Sequence, residues 1–112
     1  MIQHTIVFKV KSNATYQAIQ EAMEQMISLK DKLPSILHIA AGECQFHDER
    51  SKAFFEESIS HAISIDFENE EALTQFFTKL IAYPAKGSMV NIAEGGMDRI
   101  VGFEFMHLEK TD

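Results

Sequence analysis

Two histidines occupy matching places in two strand-like stretches of the chain. His4 sits in Ile2-Gln3-His4-Thr5-Ile6-Val7-Phe8, and His61 in Ile59-Ser60-His61-Ala62-Ile63-Ser64-Ile65. Read at a period of two, His4 falls in line with Ile2, Ile6 and Phe8, and His61 with Ile59, Ile63 and Ile65. An imidazole on an apolar sheet face needs a hydrogen-bonding partner or is available to a ligand. Its ordinary pKa is close to neutrality, so a modest shift suits it to general acid–base work in a pocket between sheet and helices. The structural alternative is two core histidines bonded to backbone or to each other. Tyr83-Pro84-Ala85-Lys86 offers two more groups. An ammonium at Lys86 could steady a developing enolate, and Tyr83 could donate a phenolic proton. The same residues serve equally as a solvated lysine and a packed ring with a wet hydroxyl.

Other reactive side chains are less organised. His38, His47 and His107 share no metal-ligand spacing, and HExxH and CxxC patterns are absent, so no metal is expected. Gly95-Gly96 is not followed by a phosphate-loop pattern, and no cofactor is implied. Cys44 is the only cysteine, has no cationic neighbour in sequence and reads as an inert thiol. The acids from Asp66 to Glu71 read as a helix start. Met23, Met26, Met89 and Met97 could line an adaptable cavity or simply fill core.

The elements that must position these groups can be followed along the chain. Residues 2–11 alternate and are rich in Ile, Val, Phe and Thr, which predicts a strand. Ser12 and Asn13 supply turn and N-cap chemistry for a helix over 14–32, whose apolar residues are Tyr16, Ile19, Met23, Met26 and Ile27. Lys30 and Lys32 suit its C-terminal dipole, and Pro34 ends it. A second strand spans 36–46, with Gly42 suggesting a bulge. Residues 47–57 read as a polar loop whose Phe54 and Phe55 need cover. A third strand spans 58–67. Asn69 caps the next helix, with Leu73, Phe76, Phe77, Leu80 and Ile81 as its buried stripe. Pro84 starts a short helix to about 93, which Gly95-Gly96 ends, and a fourth strand covers 99–108.

Strand, helix, strand, strand, helix, strand is the split βαβ order, an α+β, ferredoxin-like arrangement with a four-stranded antiparallel sheet and its helices on one face. In the fourth strand Val101, Phe103 and Phe105 share one face, and Ile100, Met106 and Leu108 the other. One set can pack under the helices; the other calls for cover on the opposite side of the sheet.

At 112 residues the chain is one domain. A formal net charge of −7, with the ten basic residues scattered, makes nucleic acid and anionic membrane surfaces poor partners. No apolar run has spanning length, no signal-peptide pattern opens the chain, and nothing asks for an oxidising compartment, so a cytoplasmic location is expected.

The chain resembles the stress-responsive A/B barrel (Dabb) family. The likeness is carried by the opening Met1-Ile2-Gln3-His4-Thr5-Ile6-Val7-Phe8-Lys9, by the helix-ending Leu33-Pro34-Ser35-Ile36, and by the His-bearing third strand Ser60-His61-Ala62-Ile63-Ser64-Ile65-Asp66-Phe67. Tyr83-Pro84-Ala85-Lys86 is similar to the family's His-Pro-Ala-His signature, with Tyr83 and Lys86 at the two His positions. The resemblance implies a fold that dimerises sheet to sheet into a dimeric α/β barrel, making a homodimer through the sheet face. Some members are cofactor-free polyketide cyclases that use histidines and tyrosines; Met26 and Leu80 stand here where tyrosines contribute to that pocket. Together these readings give an expectation of an apolar or aromatic small molecule held near His4 and His61. The walls would be Phe8, Met26, Ile63, Phe76 and Leu80. The alternatives are a cofactor-free lyase, cyclase or monooxygenase-type enzyme working through His4, His61, Lys86 and Tyr83, and a non-catalytic structural oligomer.

Overall fold

In the computed structural model the elements run β1 (Ile2–Phe8), α1 (Tyr16–Lys32), β2 (Ile36–Glu43), α2 (Glu49–Phe55), β3 (His61–Phe67), α3 (Glu70–Leu80), α4 (Ala85–Ile92) and β4 (Val101–Met106). A 3-10 turn over Gly96–Arg99 precedes β4. The structure describes residues 1–108. The strands lie in the order β2-β3-β1-β4, and every neighbouring pair is antiparallel, which is the ferredoxin-like topology.

Period-two alternation decides which face each strand buries. Ile2, His4, Ile6 and Phe8 of β1 and Ile63, Ile65 and Phe67 of β3 point toward the helices and are buried. Ile6, Phe8, Ile63, Ile65 and Phe67 meet Met23, Met26 and Leu29 of α1, Phe76 and Leu80 of α3, and Met89 and Ile92 of α4 in one contiguous core. Full burial of each such large side chain contributes roughly 1.5–3 kcal/mol.

Local signals set the helix ends. Thr15 caps α1, its Oγ1 accepting from the Ala18 N–H at 3.1 Å, so the cap lies two residues beyond the expected Asn13. Before Pro34, Leu33 is extended and its N–H donates to the Leu29 carbonyl, ending the helix as the proline demands. Asn69 caps α3 through Oδ1, which accepts from the Ala72 N–H at 3.0 Å. Gly95 and Gly96 both take positive φ, 75° and 60°, to turn the chain out of α4.

Several expectations are corrected. The 47–57 loop contains α2, capped by Asp48, whose Oδ1 accepts from the Ser51 N–H. The irregularity in β2 falls between Ile36 and His38, not at Gly42, around which there is open space. β1 stops at Phe8; Val10 makes only an isolated bridge to Ala93. Of the α3 stripe only Phe76 and Leu80 are buried, whereas Phe77 and Ile81 are exposed. The fourth strand is exposed along its whole length, so neither of its faces lies deep under the helices.

Candidate functional site

β1 and β3 place His4 and His61 on the same face of the sheet. The β1–β3 register pairs Phe8 with His61 and His4 with Ile65. Four residues of strand therefore separate the rings, about 13 Å along the sheet. The interval is filled by Ile6, Ile63 and Phe8, all buried. Phe8, Met26, Ile63, Phe76 and Leu80, expected as pocket walls, are 0–8% exposed and pack together as the core itself. The two imidazoles thus occupy two separate environments.

His4 is the only buried polar residue among the described residues, 6% exposed. Its ring meets Phe77 edge-on, centroids 5.0 Å apart and planes at 85°. On the β4 side it overlies Gly102, where a Cβ would stand 2.9 Å from His4 Cε1. The glycine is what lets the imidazole lie down on the edge strand. Nδ1 faces Glu104 Oε1 at 3.6 Å, too long for a hydrogen bond, and has no other partner. Burial pushes the His4 pKa below the ordinary 6.5, and the Glu104 carboxylate only partly opposes this. The ring is therefore neutral at neutral pH, with a buried nitrogen left unsatisfied.

Beside it lies a recess of about 350 Å³ lined by Ile2, Glu70, Leu73, Glu104, Phe105 and Met106. α3 supplies Glu70 and Leu73 from its first turns, β1 supplies Ile2, and the open end of β4 supplies the rest. Glu104 lines the recess and faces the imidazole, which is not itself one of the recess walls. Sequence reading did not single out Glu104 or Gly102. Their signals were an acid and a glycine inside an otherwise apolar strand, Val101-Gly102-Phe103-Glu104-Phe105-Met106.

His61 is half-buried at the other end of the sheet. Its Nδ1 lies 2.9 Å from Ser60 Oγ, and that oxygen accepts from the Val10 N–H at 2.9 Å. The hydroxyl can then donate its proton to Nδ1, which leaves the ring proton on Nε2. Phe8 stacks on the ring at 6.1 Å. Burial lowers this pKa too, against an opposing pull from Glu43 across β2. His61 is thus a satisfied imidazole.

Tyr83 and Lys86 line a different recess, about 430 Å³, at the start of α4 with Ile81, Pro84, Gly87 and Val90. Lys32 Nζ stands 5.6 Å over the Tyr83 ring. Neither residue hydrogen-bonds to His4 or His61, so the four expected acid–base groups are not brought together. Cys44 has its thiol pKa raised by burial and by Glu43. Among the described residues no three His, Cys, Asp or Glu side chains are grouped to hold a metal ion, and no helix is long and apolar enough to cross a membrane.

The other face of the sheet has its own pattern. Rows across it read Gly42, Ala62, Val7, Val101; then Ala40, Ser64, Thr5, Phe103; then His38, Asp66, Gln3, Phe105. Val101, Phe103 and Phe105 are 57%, 50% and 45% exposed there, an apolar strip beside small and polar neighbours.

The sequence model of a family described as "Stress responsive A/B Barrel Domain" matches residues 2–107. No curated protein matches the chain. Among solved structures, a dimeric ferredoxin-like protein of unknown function from Jannaschia sp. is similar at TM-score 0.77 and 19% identity, covering 95% of this chain and 98% of that one. A protein from Arabidopsis thaliana is similar at TM-score 0.71 and 16% identity, covering 99% of each chain. The hydroxynitrile lyase from Passiflora edulis is similar at TM-score 0.71 and 15% identity, covering 99% of this chain and 96% of the lyase. At these identities the likeness is one of fold.

Proposed function

The chain belongs to the stress-responsive A/B barrel domain family, and on that premise we propose that it is a homodimer binding a small apolar or aromatic molecule beside His4. The single observation that carries this reading is the buried His4 Nδ1 without a partner, next to an open recess. An unsatisfied buried polar atom costs about 1–3 kcal/mol, and a ligand would relieve it by shifting the Glu104 side chain, which lines the recess and stands 3.6 Å from Nδ1. Ile2, Leu73 and Met106 offer apolar surface for the body of such a ligand. The expected core walls hold no space, so the ligand lies at the β4–α3 mouth rather than between sheet and α1. His61, Tyr83 and Lys86 take no direct part in this reading. Second copies would meet through the strip of Val101, Phe103 and Phe105, in line with relatives described as dimeric.

Titration with 4-propylphenol, read by the His4 imidazole NMR signals, tests the binding. A saturable shift of His4 that leaves His61 unmoved is expected, together with loss of affinity in His4→Phe. Equal affinity in His4→Phe would end the proposal.

The same nitrogen favours a second reading, cofactor-free proton transfer with His4 as the base. A neutral imidazole with a free Nδ1 at neutral pH is competent for it. Turnover of any substrate found would fall at least a hundredfold in His4→Gln, and full activity in that variant would exclude the role.

A further inference from the structure

We infer that α2 is an arm that closes on a second copy of this chain, setting Phe54 against the 3-10 turn that carries Met97 in that copy. This rests on the sheet-face dimer proposed above and adds a second contact to it. α2 has no buried residue of its own. Phe55 stacks on Phe46 at 5.9 Å and meets Phe54 edge-on at 4.9 Å between centroids, yet Phe54 stays 78% exposed. The three rings cover one another only in part, and a grouped aromatic surface of this kind marks a contact. The placing of α2 selects the occupant. Glu57 and Ile59, just beyond α2, share a recess of about 380 Å³ with Lys9 and with Val7 and Val101 of the outer sheet face. Lys9 Nζ also donates to the Glu56 carbonyl at the end of α2, at 2.7 Å. α2 is thus tied to the margin of the face through which the copies meet, and extends it past the row of Gly42, Ala62, Val7 and Val101.

Packing of the two faces decides what lies opposite this arm. Stacked, aligned sheets can be related by a two-fold axis along their strands or across them. With the axis across, each strand lies over its own copy with the rows reversed. Phe103 then meets Phe103 and Val101 meets Phe105, while Ala40 faces only Ala40 and Ser64 only Ser64. Bulk gathers over β4 and a gap opens over β2 and β3, which close packing disfavours. With the axis along the strands, Val101 and Phe103 of each copy lie over Gly42 and Ala40 of the other, and large side chains fill the space above small ones. That axis also carries α2, which follows β2 beyond Gly42, over the start of β4 in the other copy. Just before that start stands the 3-10 turn Gly96–Arg99, whose Met97 is 52% exposed. A thioether and an aromatic ring that each lack cover within one chain therefore face each other between chains, twice in each dimer. Charge agrees with the pairing: Arg50 and Lys52 of α2 and Asp98 of the turn form no ion pair among the described residues.

Disulfide trapping between two single variants tests this, because a bond between them can form only between copies. Phe54→Cys and Met97→Cys, each in a Cys44→Ser background, are mixed, oxidised and run without reductant. The mixture should give a covalent dimer joined between positions 54 and 97, and neither variant alone should match its yield. Sedimentation equilibrium of Phe54→Ser should show the dimer weakened at least tenfold. Phe54 is largely exposed, so the variant folds, and an unchanged circular dichroism spectrum checks that. If the unmodified chain is a dimer but the mixture gives no 54–97 bond, or Phe54→Ser leaves the dissociation constant unaltered, the arm is wrong and the sheet-face dimer stands. Strong linking of Phe54→Cys to itself would overturn the axis along the strands. If the unmodified chain sediments as a monomer, the dimer reading fails and the arm falls with it.

Discussion

Replacing Gly102 by alanine tests how the His4 ring is held. The backbone tolerates a side chain there, since Gly102 is not among the positive-φ glycines. The obstacle is the imidazole, because the new Cβ would lie 2.9 Å from His4 Cε1 and 3.4 Å from Nε2. Ordinary carbon contacts are about 3.5–4.0 Å, so the ring must retreat by roughly 0.6 Å or more. Phe77 stands against it at 5.0 Å between centroids, and the ring is nearly all buried, so it has little room to swing. Overpacking of this kind costs about 1–3 kcal/mol, while losing a glycine from the unfolded chain returns about 0.4–1 kcal/mol. The net expectation is a loss of about 0.5–2 kcal/mol, a fall of roughly 2–8 °C in Tm for a chain of this size. Urea denaturation of Gly102→Ala, His4→Ala and the double variant gives the coupling directly. With the ring gone, the alanine should be neutral or stabilising, so the coupling should reach about 1 kcal/mol or more. If Gly102→Ala costs the same in both backgrounds, the ring does not rest on Gly102 and the described site geometry is wrong.

Stability should also depend on pH through both imidazoles. Each has a folded pKa below the ordinary 6.5, so the unfolded chain takes up protons first. Their contribution is complete above 6.5 and declines as pH falls from there toward the folded values. Urea midpoints measured from pH 8 to pH 5 should drop, and His4→Phe with His61→Phe should flatten the drop; an unaltered slope would count against buried, neutral rings. Asn69→Ala removes the α3 cap and should cost about 1 kcal/mol in thermal or urea unfolding, with Asn69→Asp close to neutral. Equal losses in both would mean the side-chain oxygen does not cap. Phe103→Glu puts a carboxylate in the middle of the exposed apolar strip, and should raise the dimer dissociation constant at least a hundredfold, about 3 kcal/mol. Sedimentation equilibrium reads this, and an unchanged dimer would place the interface elsewhere.

The order of elements and their inward faces were legible in the chain because they depend on neighbours a few residues apart. Alternation put His4 with Ile2, Ile6 and Phe8. Asn69, Pro34 and Gly95-Gly96 marked helix ends through their own backbone chemistry. Short-range signals failed where two readings competed. Asp48 starts a seven-residue helix in a stretch polar enough to pass for a loop, and Thr15 rather than Asn13 caps α1.

The site belongs to tertiary structure. That His4 and His61 share a face follows from period two, but the distance between them follows from β1–β3 register, which pairs Phe8 rather than His4 with His61. Register depends on which hydrophobic sets meet across strands, and no local pattern in either strand states it. The β1–β4 pairing brings Glu104 opposite His4 and sets Gly102 under its ring across a hundred residues of chain. Sequence alone determined that this protein carries an imidazole on a greasy sheet face. Only the folded sheet decided that its nitrogen would be left without a partner beside an acidic opening, because partners so distant in the chain are chosen by packing and not by spacing.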